Sequence, residues 1–139
     1  MRNIEFRGRK RYGDGTFAPW FYGWYIDYYI FHEIHDKQGV EHSVEPETVG
    51  EWTGLYDKHF RRIYEGDVLK FSWDSPCGLV EFLGMVKFRA NDAAFRVWCD
   101  NLKDWAVFSV FSRNDMEVIG NIFDNPELKE KFGKHWEQE

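Results

Sequence analysis

The sequence predicts one mostly β domain, with a small barrel-like antiparallel sheet core and a short C-terminal helix. A length of 139 residues suits a single core, so we expect one domain over residues 1–139. The chain has 13 Phe, 7 Tyr and 7 Trp, and such side chains favour pleated, half-buried surfaces. Short apolar runs separated by Gly, Asn, Asp or Pro, without long helical periodicity, indicate many short strands.

The first predicted strand lies in "NIEFRGRK", where Ile4 and Phe6 alternate with polar residues. Such alternation is typical of a half-buried strand. The stretch "RYGDGTFAP" (residues 11–19) then breaks the pattern with two glycines and a proline, which indicates a turn.

A long alternation over residues 24–34 predicts one central strand with apolar side chains on both faces. Residues 36–48 are polar, with one glycine and one proline. We expect a hairpin connection and an exposed loop there, with room for a short strand at residues 40–44.

The C-terminal helix is predicted to begin at Pro126, with Asn125 as the capping residue before it. Asn125 can accept a hydrogen bond from a free backbone N–H, Pro126 needs no N–H partner, and Glu127 complements the positive end of the helix dipole.

The same helix should dock through one face, because Leu128 and Phe132 lie four residues apart. Gly133 is expected to end it, since glycine adopts the left-handed conformation common after a helix. The tail from about residue 134 is expected to fray.

The charges divide unevenly along the chain. Its net charge is −6, yet the first eleven residues carry five basic groups against one acid. A small β-barrel could bind nucleic acid by tracking phosphates with this arm and stacking bases on aromatics. The favoured interpretation is a solvated strand edge, or ion pairs with acids elsewhere. The arm residues concerned are Arg7, Arg9, Lys10 and Arg11.

Three stretches together carry a resemblance to a known family: "IEFRGR" at the amino terminus, "VGEWTGLYDKHFRRIYEGDVLKF" at residues 49–71 and "EVIGNIFDNPEL" near the end. In this order they resemble the YopX family of small phage and prophage proteins. The family pattern usually reads T-G-L-x-D-K-x-G-x-x-I-Y-E-G-D. Here His59-Phe60 stand where Asn-Gly is common, so we expect a wider loop, or one packed through Phe60.

The resemblance implies a mostly β fold with a barrel-like core and a phage or prophage origin. It implies no established activity and no catalytic residues. We expect its motif residues to be structural: Gly50, Thr53, Gly54, Asp57, Tyr64, Glu65, Gly66 and Asp67.

The "EGD" triplet could be a ligand site or a corner. Magnesium or calcium would suit Glu65 and Asp67 with Asp57 as a third oxygen ligand, although the spacing of an EF-hand is absent. The favoured interpretation is a tight turn, with positive φ at Gly66 and a backbone hydrogen bond to Asp67.

The stretch "HEIHD" (residues 32–36) resembles a zinc-protease motif only superficially. Its histidines are three apart, whereas that helical motif spaces them by four. On a strand, His32 and His35 point to opposite faces and cannot share an ion. No metal or other cofactor is predicted.

Catalysis has little support in the sequence. Cys77 and Cys99 lack CxxC spacing, and both are expected to be reduced thiols. Cys77 lies in a turn and is the better nucleophile candidate, but no base can be identified for it. The phosphate-binding glycine patterns are absent. We therefore expect no enzyme.

The protein is expected to be cytoplasmic, because no apolar run is long enough for a membrane helix. It is also expected to act by binding. The aromatics of "APWFYGWYIDYYIF" (residues 18–31) exceed what one small core can enclose. Some should be exposed and dock a host or phage protein, or another copy of the chain. Nucleic acid is the alternative partner.

Overall fold

A computed structural model describes residues 3–137 of the chain. The fold is mostly β with one α-helix near the C-terminus, as predicted, and the strands form two antiparallel sheets. The chain forms two compact units, one up to Gly54 and one from Leu55 onward. A single domain over residues 1–139 stays a prediction.

The first unit contains four strands and the start of a fifth. In the sheet, β2 lies between β1 and β3, and β1 pairs on its other side with β5. A short 3₁₀ turn, Pro46–Thr48, precedes β5. The strands are β1 Phe6–Gly8, β2 Phe21–Asp27, β3 His32–His35, β4 Glu41–Ser43 and β5 Gly50–Tyr56.

The prediction of one long strand over residues 24–34 is wrong. The chain reverses between Asp27 and His32, and β2 and β3 pair as an antiparallel hairpin. Alternation alone could not show this reversal, because the side chains at the bend continue the apolar pattern. The short strand expected at residues 40–44 is confirmed as β4.

The first strand is shorter than predicted, and its buried residues are different ones. Ile4 lies before β1 and is exposed, whereas Arg7 and Arg9 are buried. The turn predicted at residues 11–19 is confirmed: Tyr12 N–H donates to the carbonyl of Thr16 at 2.7 Å, and Gly15 has φ +88°.

The second unit is built on a five-stranded antiparallel sheet, ordered β10-β9-β8-β7-β11. Its buried side chains include Leu69, Phe71, Val86 and Val97, which form one apolar cluster. The strands from Leu55 onward are β6 Arg62–Tyr64, β7 Asp67–Ser75, β8 Gly78–Arg89, β9 Ala94–Cys99, β10 Asp104–Val107 and β11 Met116–Asn121.

The barrel-like core predicted from the sequence is wrong for residues 3–137. The five-stranded sheet ends at β10 and β11, and the other sheet, ordered β4-β3-β2-β1-β5-β6, ends at β4 and β6. Each sheet is therefore open. Closure requires the two end strands of a sheet to pair with each other, and the local patterns used for prediction do not report which strands pair.

The C-terminal helix α1, Pro126–Trp136, begins where predicted and buries Leu128 and Phe132. It does not end at Gly133, which lies inside it, and residues 134–136 of the expected frayed tail are helical. Residues 138 and 139 of that tail lie outside the described residues. The Asn125 side chain accepts the N–H of Asn121 at 3.0 Å and makes no cap bond to the helix itself.

Among residues 3–137, no helix is both long and apolar enough to cross a membrane.

Candidate functional site

The most exposed apolar surface of the first unit is the bend between β2 and β3. We call residues 28–31 the aromatic tip. Their exposed fractions are 50% for Tyr28, 95% for Tyr29, 82% for Ile30 and 65% for Phe31. Four consecutive large apolar side chains in solvent form a contiguous patch, and such patches commonly mark interaction sites.

The backbone of the aromatic tip is held in a tight, strained turn. Tyr28 N–H donates to the carbonyl of Phe31 at 2.8 Å, which closes the hairpin. Ile30 N–H donates to the carbonyl of Tyr28 at 2.9 Å, and Tyr29 between them has φ +70°. The Asp27 carboxylate accepts the N–H of Tyr29 at 2.8 Å and supports this conformation.

The residues of the aromatic tip are poor choices for such a turn. Two-residue hairpin connections favour Asn-Gly or a related pair, because these tolerate positive φ. Here Tyr29 and Ile30 occupy the connection, so the chain carries both backbone strain and exposed apolar area. Strain of this kind concentrates at functional sites.

Beside this hairpin, three arginines of the predicted basic arm stack on aromatic rings. The Arg7 Cζ atom lies 4.5 Å from the Trp20 ring centroid, and the Arg9 Cζ atom lies 4.0 Å from that of Phe17 and 4.5 Å from that of Trp20. The Arg11 Cζ atom lies 5.0 Å from the Phe17 centroid. The alternation of β1 and the following residues places these guanidinium groups on one side.

Of the two interpretations of this arm, the solvated strand edge is wrong for Arg7 and Arg9, and ion pairs with acids elsewhere stay a prediction. Each is only 6% exposed, and Arg7 lies in β1, which pairs with a strand on each side. Two of the four charges are therefore largely withdrawn from solvent, where a phosphate backbone would have to meet them. Lys10 and Arg11 remain exposed.

The Glu65-Gly66-Asp67 triplet forms the corner between β6 and β7. Gly66 has φ +89°, and the Asp67 carboxylate accepts the N–H of Tyr64 at 2.8 Å. A Cβ added at Gly66 would lie 2.7 Å from the ring of Phe123, so glycine is required for space as well as for φ. The Glu65 carboxylate accepts the N–H of Phe88 at 3.0 Å.

Asp57 anchors the loop between β5 and β6. Its buried carboxylate accepts backbone N–H groups from His59 and Arg61 at 2.9 Å each and from Val118 at 3.0 Å. Burial raises the pKa of Asp57, but these hydrogen bonds and the Arg61 charge outweigh it and hold the pKa below its ordinary value. The three carboxylates of the "DKHFRRIYEGD" stretch thus bind backbone at separate places.

The loop held by Asp57 keeps a tight conformation despite the His59-Phe60 pair. Phe60 has φ +61°, at the position where the family pattern usually has glycine. Its ring is 69% exposed, and the Arg113 Cζ atom lies 4.1 Å from the ring centroid. The wider loop expected from the sequence is therefore not formed, and the packing expected through Phe60 is limited to this exposed contact.

The other motif residues lie on strands. Gly50 is buried and pairs with Arg7 across β5 and β1. Thr53 and Gly54 follow in β5, where Gly54 has φ +87°. Tyr64 is buried in β6.

The two histidines of "HEIHD" make separate contacts. His32 Nδ1 lies 2.6 Å from the hydroxyl of Tyr25, whereas His35 Nε2 lies 3.2 Å from Glu33 Oε1. Glu41, which pairs with His35 across β3 and β4, adds a third ligand group. Ligand atoms of Glu33, His35 and Glu41 all lie within 4.8 Å of one another. This group cannot be predicted from the "HEIHD" stretch alone, because its third member lies on the neighbouring strand β4.

The cysteines are both free. Cys99 is buried in β9, where burial first and then the charges of Asp100 and Asp104 raise the pKa of its thiol to about 11. Such a thiol is a poor nucleophile near neutral pH. Cys77 is exposed in the turn before β8, as the sequence suggested.

The second unit carries an open apolar groove of about 400 Å³ on one side of its sheet. Its polar lining comes from Ser72, Asn101 and Asp115. We call this the apolar groove; its apolar lining includes Phe71, Trp73, Val80, Phe82, Leu102 and Val110.

A comparison with protein families matches the YopX protein family over residues 25–130. No curated protein matches the chain. The family match covers most of the chain, including the aromatic tip, the Asp57 loop and the Glu65-Gly66-Asp67 corner. The chain therefore belongs to the YopX family.

Proposed function

We propose that this protein is a non-enzymatic interaction module that self-associates, with the aromatic tip of one copy bound in the apolar groove of another. The observation that carries the proposal is the composition of the tip. Tyr29 and Ile30 stand at an exposed, strained turn where Asn-Gly would be favourable. Their presence at this turn is explained if the apolar side chains are needed for contact.

The size of the aromatic tip fits an anchor that enters a concave partner. A buried aromatic contributes about 150–250 Å², so the tip supplies on the order of 500 Å² of the roughly 800 Å² that each partner gives to a stable interface. Two tips meeting face to face would leave much of each side chain in water. A groove covers the anchor on several sides, and its walls add the remaining area.

The chemistry of the apolar groove matches that of the aromatic tip. Its volume of about 400 Å³ lies within the range of ligand pockets. Its aromatic walls suit Phe31 and Ile30, and Asn101 and Asp115 offer oxygen acceptors for the hydroxyls of Tyr28 or Tyr29. Buried tyrosines need such partners.

The proposal includes two properties that the sequence implies. The family resemblance supports a phage or prophage origin, and the two free cysteines favour a cytoplasmic location. A host or phage protein with a similar apolar groove would be an alternative occupant for the tip.

Sedimentation velocity over a range of concentrations tests self-association. We expect a reversible association with a Kd on the order of micromolar, at the weak end for interfaces of this size. A tip variant, Tyr29→Asn with Ile30→Gly, keeps a favourable hairpin turn. It should weaken association at least about thirtyfold, as loss of a hot spot does.

Two results would count against the proposal. Wild-type protein that stays monomeric throughout the concentration range would overturn self-association. The control variant Leu79→Ser removes another exposed apolar side chain of the second unit, one that does not line the apolar groove. If the control and the tip variant lost association affinity equally, the association would be nonspecific and would not depend on the aromatic tip.

A further inference from the structure

We propose that Glu33, His35 and Glu41 bind a zinc ion on one face of the first sheet. This group is separate from the residues of the aromatic tip, and the proposal does not depend on self-association.

The strand geometry brings the three side chains to one face. Glu33 and His35 are two apart in β3, so they point the same way. Glu41 lies directly opposite His35 in the antiparallel pair β3 and β4. Side chains in such positions have Cβ atoms about 4.5–5.5 Å apart, which is close enough to share one ion.

The distances suit tetrahedral zinc. Ligands at about 2.0–2.1 Å from zinc are roughly 3.3 Å from one another. His35 Nε2 and Glu33 Oε1 already lie 3.2 Å apart, and the whole group falls within 4.8 Å. Glu41 is exposed, so its carboxylate can rotate to close the remaining difference.

The donor set favours zinc over magnesium or calcium. Those hard cations select oxygen ligands, whereas an imidazole nitrogen with carboxylates suits zinc. The carboxylates of Glu33 and Glu41 also repel each other at this separation, and a divalent cation between them removes that repulsion. Three protein ligands leave the fourth position to water or a small anion.

Calorimetric titration of tag-free protein with zinc chloride is the direct test. One zinc should bind per chain, and His35→Ala should weaken binding by more than the about 10–100-fold that loss of an outer-shell partner costs. Glu41→Gln, at an exposed position that tolerates substitution, should weaken it at least about tenfold. His59→Ala, which removes a histidine of the second unit, should leave it unchanged. Cobalt should bind the wild type with the intense visible absorption of a tetrahedral site.

Each other outcome overturns the site. Absence of binding by the wild type removes it altogether. Equal binding by His35→Ala places the ion elsewhere on the chain, and unchanged binding by Glu41→Gln contradicts a three-ligand site.

Discussion

At the residue scale, Asp57 shows how one buried carboxylate organises a loop. It serves three backbone donors, two within its own loop and one from Val118 in β11. Because a buried N–H without a partner is costly, the loop conformation and the carboxylate depend on each other.

Asp57→Asn should destabilise the protein at pH 7 by about 1–3 kcal/mol, since an amide replaces one acceptor oxygen with a donor. The pKa of Asp57 is lowered in the folded state, so its stabilising contribution is present above its unfolded pKa of about 3.9. That contribution is lost as pH falls through the folded value. Urea unfolding should therefore show a smaller difference in the free energy of unfolding between the wild type and Asp57→Asn at pH 3 than at pH 7.

The matched control is Asp74→Asn, at an exposed position of β7 in the same unit. It should change stability little at either pH. A deficit of Asp57→Asn that stays constant across pH would contradict the role given to its charge.

Phe60 is a residue at which the backbone conformation determines how a substitution changes stability. Its φ of +61° is unfavourable for any residue with a Cβ. Phe60→Gly should therefore be more stable than Phe60→Ala by about 1 kcal/mol, after allowing for the greater unfolded-state entropy of glycine. Both variants lose the ring and its contact with Arg113, so their difference isolates the backbone. Thermal unfolding measures it, and an alanine variant at least as stable as the glycine variant would refute the strain.

At the element scale, the strand β1 and the following residues are stabilised by arginines packed on aromatic rings. Charged side chains are normally assigned to the surface, which is why the sequence predicted a solvated arm. Phe17 lies on the returning side of the turn that follows β1 and Trp20 lies just after it, and nothing local indicates that their rings cover Arg7 and Arg9.

Arg9→Ala should lower the free energy of unfolding by about 2 kcal/mol or more, because it removes a largely buried cation from two aromatic faces. Lys10→Ala, the neighbouring exposed position, should change it by no more than about 0.5 kcal/mol. Urea unfolding monitored by tryptophan fluorescence compares the two. Similar effects of both substitutions would contradict the packing role of Arg9.

The predicted and observed elements differ where long-range contacts or unusual turn residues determine the ends of a strand or helix. Glycine and proline marked several strand boundaries, such as Gly66 before β7 and Pro76 after it, and Pro126 marked the helix start. The bend at Tyr29 went undetected because neither it nor Ile30 is a usual turn former. Gly133 did not end α1, and the helix continues to Trp136. The Trp136 ring packs edge-on against the Phe123 ring, with 5.6 Å between the ring centroids.

The candidate sites, like the secondary-structure elements, could be predicted from the sequence only in part. Exposed aromatics somewhere within residues 18–31 and the turn at Gly66 followed from composition and turn chemistry, whereas the position of the aromatic tip did not. The Glu33, His35 and Glu41 group required the register of β3 against β4, which depends on how the polar connection after His35 folds. The apolar groove required knowledge of which strands pair, so sequence patterns could not indicate it.

At the scale of the whole molecule, the proposed contact joins different surfaces of two copies. Such a head-to-tail contact produces rings or open chains, whereas a twofold contact between identical surfaces stops at a dimer. The aromatic tip and the apolar groove can therefore be inactivated separately, and each variant keeps the partner surface that the other has lost.

Mixing two variants tests this central claim most directly. The groove variant combines Trp73→Thr with Leu102→Glu, both at exposed positions of the groove lining. It should be monomeric by sedimentation velocity, as should the tip variant Tyr29→Asn with Ile30→Gly. An equimolar mixture should form a one-to-one heterodimer that grows no further, because one tip and one groove remain functional. A mixture that stays monomeric while the wild type associates would contradict the tip-in-groove contact, and so would association of either variant alone at wild-type strength.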